Sequence, residues 1–215
     1  MLCCWYFIHI YERSFEQQVS IVIMKKFPLL LLALMLACRL TAQLSVSVVW
    51  TEQTSLPVND VIYYDPSLKL EWNDFRGKPV LNGNAAAVTM SGFGYAASVH
   101  ALRNKGKLDI SVYCFFDKQK SWVKPGNKTD YILTHEQHHF DLSYLAAQHF
   151  IDRILKKKLT LENYENMLRQ LYDESIDDMN KMQDNYDSQT KNGQDERMQE
   201  KWNKMIDAGI AEVTM

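Results

Sequence analysis

The stretch Thr134-His135-Glu136-Gln137-His138-His139-Phe140 contains the spacing His-Glu-x-x-His. On an α-helix, His135 and His139 lie four residues apart and so share a face. Two imidazoles so placed can hold one zinc ion, with Glu136 beside them to act on a water. The chain has 6 His and, by count, 11 Glu among 215 residues. Chance gives roughly 0.01 such matches in a chain of this make-up, so the surroundings of the motif must decide. The same helical geometry puts Ile132 with the histidine pair and Asp141 nearly opposite. Asp141 is therefore expected to face solvent or another helix.

The flanking pattern supports a helix here. Asn127 or Thr129 can cap a helix from about Asp130 to Lys157, and Lys156-Lys157-Lys158 place cations at its C-terminal end. A second long helix is expected from Thr160. Its stripe of Tyr164, Leu168, Leu171, Ile176, Met179, Met182 and Tyr186 repeats at helical spacing and reads as core packing. Gly193 breaks the pattern before a last helix containing Met198, Trp202 and Met205.

The preceding half reads as strands. Leu44 to Trp50 alternates and is rich in β-branched residues. Leu70-Glu71-Trp72 suggests a short strand or turn entry before a loop over 73–79. Ala85 to Leu102 and Lys107 to Phe116 flank Asn104-Lys105-Gly106, a hairpin signal with Gly106 in the turn. The predicted fold class is α+β, a small antiparallel sheet followed by a helical half carrying the His-Glu-x-x-His helix. Zincin metallopeptidases commonly have that order of elements.

Met24-Lys25-Lys26 followed by FPLLLLALMLA reads as an export signal over 24–42, with a cleavage site after Ala42. Cys38 offers a lipoprotein site as the alternative. Residues 1–23 are aromatic and unpatterned, and read as a mis-assigned extension ahead of a true start at Met24. The mature chain, 43–215, is expected to be one domain without an integral membrane segment, acting in the periplasm or outside the cell. Its formal charge of −2 over the whole chain, with no basic block, argues against a nucleic-acid partner. Of the cysteines only Cys114 remains, and its place in an apolar strand pattern reads as a buried small hydrophobe. Oligomeric state has no signature in the sequence.

Two imidazoles need a third protein ligand. A continuation His-x-x-Gly-x-x-His is excluded, because positions 142 and 145 are both Leu. Glu162, Glu165 and Glu174 on the next helix are available, the last with Asp178 four residues on to support a histidine. Asp187 is the other candidate. Each of these, taken alone, is more often solvated helix surface.

Four ordered motifs narrow the reading. Leu70-Glu71-Trp72-Asn73-Asp74-Phe75-Arg76-Gly77 comes first, then Ser121-Trp122-Val123, then His135 to Asp141, then Tyr186 to Gly193 followed by Gln199 and Trp202. Together they resemble the secreted bacterial domain-of-unknown-function family 922, grouped with the zincins, and the likeness spans nearly the whole mature chain. The resemblance implies zinc as cofactor and a protein or peptide substrate. It departs from the family pattern at two places. His138 stands where Gly is usual, which makes it a spare ligand candidate. Asn192 stands where the last motif has His; were that His the third ligand, zinc would bind poorly.

The expectation is a zinc metallopeptidase with His135, His139 and Asp187 as ligands and Glu136 as general base, Glu174 remaining the alternative third ligand. Tyr186 could donate to an oxyanion, although packing is its more ordinary role. Trp72, Trp122 and Trp202 read as aromatics that stabilise the fold. The competing readings are a non-catalytic exported module that keeps the fold, which Asn192 favours, and a zinc amidase acting on cell-wall peptides.

Overall fold

The computed structural model describes residues 43–214, apart from 53, 55, 58, 103 and 104. The expected extension over 1–23 and export signal over 24–42 lie outside the described residues. Strands β1 (Gln43–Trp50), β2 (Val61–Tyr63), β3 (Ala87–Val88), β4 (Ser91–Leu102), β5 (Lys105–Asp117) and β6 (Trp122–Val123) come first. Helices α1 (Asp130–Leu155), α2 (Tyr164–Thr190) and α3 (Glu196–Thr214) follow. Among the described residues no helix is long and apolar enough to cross a membrane.

β5 is the centre of the main sheet. It pairs antiparallel with β4 along one edge. Along the other it pairs parallel with β1 and then antiparallel with β2. The sheet is thus mixed, where an antiparallel one was expected. The alternation in β1 marks which side chains turn inward but carries no information about strand direction. Gly106 is also not in the turn. It lies inside β5 opposite Leu44 and Ala101. A Cβ there would meet Leu161 Cδ2 at 2.8 Å and Leu44 Cδ1 at 2.9 Å, so the glycine lets two leucines close over the strand end. β4 starts at Ser91, not Ala85, because Ala87–Val88 pairs with β6 in a separate two-stranded sheet.

Along β5, Leu108, Ile110, Val112, Cys114 and Phe116 are all fully buried. The period of two puts them on one face, and burying each large aliphatic or aromatic side chain contributes about 1.5–3 kcal/mol. They share a core with Phe140, Tyr144, Ala147 and Phe150 of α1. On its other side α1 packs Leu142 and Leu145 against Tyr186, Trp202 and Ile206 of α2 and α3. A helix sandwiched in this way has little solvent face. Asp141 is accordingly 1% exposed, contrary to the expectation from the helical wheel. Its Oδ1 accepts hydrogen bonds from Tyr64 Oη at 2.8 Å and Gln137 Nε2 at 2.9 Å. Burial of Cys114 pushes its thiol pKa up, which keeps it protonated and inert.

The segment Leu70–Gly77 is docked onto α1. Leu70 N donates to Gln137 Oε1 at 2.8 Å. Trp72–Asp74 makes a 3₁₀ turn in which Asp74 accepts from the backbone of Glu71. Gly77 N donates to Ser121 O at 2.7 Å. Ser121 is fully buried, accepting from Met90 N and donating to Asp117 O. A Cβ on Gly77 would lie 2.8 Å from both Gln119 O and Ser121 O. Backbone oxygens cannot swing aside as a side chain can. Gly77→Ala is therefore expected to destabilise the fold by about 1–3 kcal/mol, read as a lower midpoint in urea unfolding.

Candidate metal centre

Thr129 caps α1, its hydroxyl accepting from Ile132 N at 3.2 Å, and the helix runs unbroken through the histidines. His135 and His139 therefore lie one turn apart, with Nε2 atoms 3.3 Å from each other. α2 brings Asp187 across from them. Its Oδ1 lies 3.2 Å from His135 Nε2 and 3.0 Å from His139 Nε2. Among the described residues this is the one group of three His, Cys, Asp or Glu donors close enough to hold a metal ion.

The spacing matches a small tetrahedral cation. Zinc–ligand bonds of about 2.0–2.1 Å set tetrahedrally put neighbouring ligand atoms about 3.3 Å apart. Atoms at this distance are held either by protons on the imidazoles that Asp187 accepts or by a cation between them. The electrostatics agree. Burial works against ionisation of Asp187, but hydrogen bonds from His135 and His139 outweigh it and hold the carboxyl well below the usual carboxylate range. Burial lowers the basicity of His139, yet the bond to Asp187 and the charges of Glu136 and Asp187 leave its pKa raised.

Glu136 is buried on the same side, and its Oε2 has no hydrogen-bond partner. Burial raises its pKa, and the charges of His139 and His135 offset that only in part. A buried carboxylate oxygen without a donor is costly unless something else occupies the space before it. Glu136 also lines a pocket of about 350 Å³, together with the cluster, Ala85 to Thr89, Ile132 and Asn192 to Gln194. Thr89 Oγ1 donates to Glu136 O at 3.1 Å, clipping the pocket wall to α1.

The end of α2 shapes the opposite rim. Lys191, Asn192 and Gly193 take successive left-handed conformations, with φ of 52°, 53° and 78°. Two non-glycine residues in that region store backbone strain. Tyr131 Oη donates to Gly193 O at 2.6 Å and pins the loop. Asn192 thus lines the pocket, while the triad is complete without it.

Other candidates lie elsewhere. His138 is buried on another side of α1, with Nε2 3.5 Å from Asp207 and 3.9 Å from Asp141, so it is no spare ligand. Glu174 accepts from Gln170 Nε2 on the exposed side of α2. Asp178 pairs with Arg153 at 2.6 Å and supports no histidine. Glu162 and Glu165 are exposed and outside the cluster. Tyr186 is fully buried, stacked on His135 with ring centroids 4.6 Å apart, and its hydroxyl donates to His135 O at 3.3 Å. It packs the site from behind and does not line the pocket.

Two side chains without an assigned role in the sequence also touch the histidines. Gln199 Oε1 lies 2.8 Å from His135 Nδ1, and Gln183 Oε1 lies 2.5 Å from His139 Nδ1. The signal for Gln183 was present in its spacing: Gln183 and Asp187 are four apart on α2, as His135 and His139 are on α1.

Fold and site define an α+β protein whose His-Glu-x-x-His helix meets a carboxylate from the next helix. Residues 117–195 match the family described as bacterial protein of unknown function (DUF922). That segment, which includes Ser121-Trp122-Val123, the whole of α1 and α2 and all of the cluster, is similar to this family. Leu70–Gly77, Gln199 and Trp202 lie outside the matched residues. No curated protein and no solved structure matches the chain.

Proposed function

We propose that this protein is an exported, zinc-dependent metallopeptidase. The observation that carries the reading is the convergence of His135 Nε2, His139 Nε2 and Asp187 Oδ1 at 3.0–3.3 Å beside a buried Glu136 oxygen that has no partner. In this reading the three donors hold the zinc. The ion, when bound, polarises a carbonyl and lowers the pKa of water towards neutrality. Glu136 takes a proton from the attacking water on Oε2 and passes it to the leaving nitrogen. Its raised pKa suits both halves of that transfer. Ala85, Ala86, Ala87 and Val88 give the pocket a small, apolar wall against which an extended peptide can lie.

Glu136 also weighs against a non-catalytic module. It stands beside both imidazoles with its pKa raised by burial, the placement and basicity that a general base requires. Zinc follows from the donor set, since two imidazoles and one carboxylate with space for a fourth ligand suit a hydrolytic zinc site. Export rests on the pattern of residues 24–42.

The test is metal content and its linkage to hydrolysis. Purified protein equilibrated with micromolar zinc at neutral pH is expected to retain a single ion per chain by mass spectrometry. Chelation should abolish cleavage of an unfolded protein substrate, and added zinc should restore it. A chain that emerges metal-free overturns the proposal, and release of cell-wall peptides in place of protein cleavage would move the activity to the amidase class.

A further inference from the structure

We propose that Gln183 and Gln199 are positioning residues that hold His139 and His135 in the one tautomer able to share an ion; the inference rests on the metal reading above. Each amide is oriented by partners that can act in only one sense. Gln183 Nε2 donates to His139 O at 2.8 Å and to Ser143 Oγ at 3.2 Å. A backbone carbonyl accepts and never donates, so the amide nitrogen must be on that side. Oε1 then faces His139 Nδ1, and an amide oxygen also only accepts. His139 Nδ1 therefore carries a proton.

The same logic runs through Gln199. The Tyr186 hydroxyl has one proton, and it goes to His135 O. The hydroxyl must then accept from Gln199 Nε2 at 2.5 Å, and the second amide proton goes to Asn203 Oδ1 at 2.7 Å. Gln199 is 1% exposed, so no water competes for these bonds. Its Oε1 is left for His135 Nδ1, which is thereby a donor too.

A neutral imidazole protonated at Nδ1 has its lone pair at Nε2. Both rings thus turn their lone pairs into the space that Asp187 Oδ1 also faces. Flipping either ring would set a lone pair against a fixed amide oxygen and strand a buried polar atom. The two glutamines come from different helices, so docking of α2 and α3 onto α1 sets the tautomers as well as delivering Asp187. A metal-bound histidine whose other nitrogen has lost its partner typically binds metal 10–100-fold more weakly.

The experiment measures zinc affinity against a chromophoric chelator for the wild type, Q183M, Q199M and Q183E. Methionine keeps the length of the side chain without the accepting oxygen. Each methionine variant is expected to bind zinc about 10–100-fold more weakly. Q183E keeps an oxygen for His139 Nδ1 but sets its other oxygen against the His139 carbonyl, so it is expected to bind zinc more weakly than the wild type and more tightly than Q183M. In zinc-loaded protein, ¹⁵N spectra of the imidazoles should show Nδ1 protonated and Nε2 shifted by the metal. Wild-type affinity in Q183M, or Q183E as weak as Q183M, overturns the inference and leaves the metal reading standing. A wild type that binds no zinc overturns both. Should Q199M fail to fold by circular dichroism, the half-buried Gln183 and the spectra of the wild type decide the matter alone.

Discussion

Glu136→Gln is expected to leave zinc uptake intact and to lower peptide hydrolysis by about a hundredfold to ten-thousandfold. Glutamine has the shape of glutamate but cannot accept a proton at neutral pH. Glu136 is outside the donor triad, so the metal keeps all three of its protein ligands. Its Oε2 is buried without a partner, and burial raises its pKa, which makes it a stronger base. The loss should fall on kcat, because the carboxylate acts on the proton in flight and not on the bound substrate. Metal content and kcat measured on the same preparation decide the outcome: full hydrolysis with full zinc removes Glu136 from the mechanism.

Asp187→Ala is expected to weaken zinc binding by more than the roughly 10–100-fold that follows loss of an outer partner, since a ligand itself is removed. Asp187 sits at the margin of the site with its side chain 42% exposed, so the core does not depend on it. The variant should keep its circular dichroism spectrum. Two imidazoles remain, but Nε2 atoms 3.3 Å apart without the carboxylate lack the charge that draws a divalent ion. Glu174→Ala is the matched control, an acidic residue of the same helix that faces solvent and pairs with Gln170. Titration by isothermal calorimetry separates the two: a Glu174 variant that loses zinc while Asp187→Ala keeps it would reverse the assignment.

Much of this architecture was legible in the chain because it is local. A helix repeats every 3.6 residues, so His135 and His139 had to share a face wherever α1 came to rest. Cys114, expected as a buried small hydrophobe, is fully buried with Leu108, Ile110, Val112 and Phe116 on one face of β5. The breaks at Pro125-Gly126 and at Gly193 matched real helix limits, because both glycines have positive φ. The errors share a cause. The wheel of one helix alone points Asp141 towards solvent or another helix, whereas the sheet on one side and two helices on the other bury both sides of α1. A turn is the usual reason for glycine, but the constraint on Gly106 is the approach of Leu161, 55 residues further along the chain.

The sequence by itself determined the strand-rich first half, the three helices, the core stripe of α2 and the His135-Glu136-His139 constellation, since each follows from local spacing along the chain. Only the tertiary structure brought Asp187 rather than Glu174 beside the two imidazoles, set His138 on another side of α1 and placed Gln183 and Gln199 against the rings. Those choices depend on which face of α2 and α3 meets α1. That is settled by the packing of Leu142 and Leu145 against Tyr186, Trp202 and Ile206, contacts between residues far apart in the chain that no local period encodes.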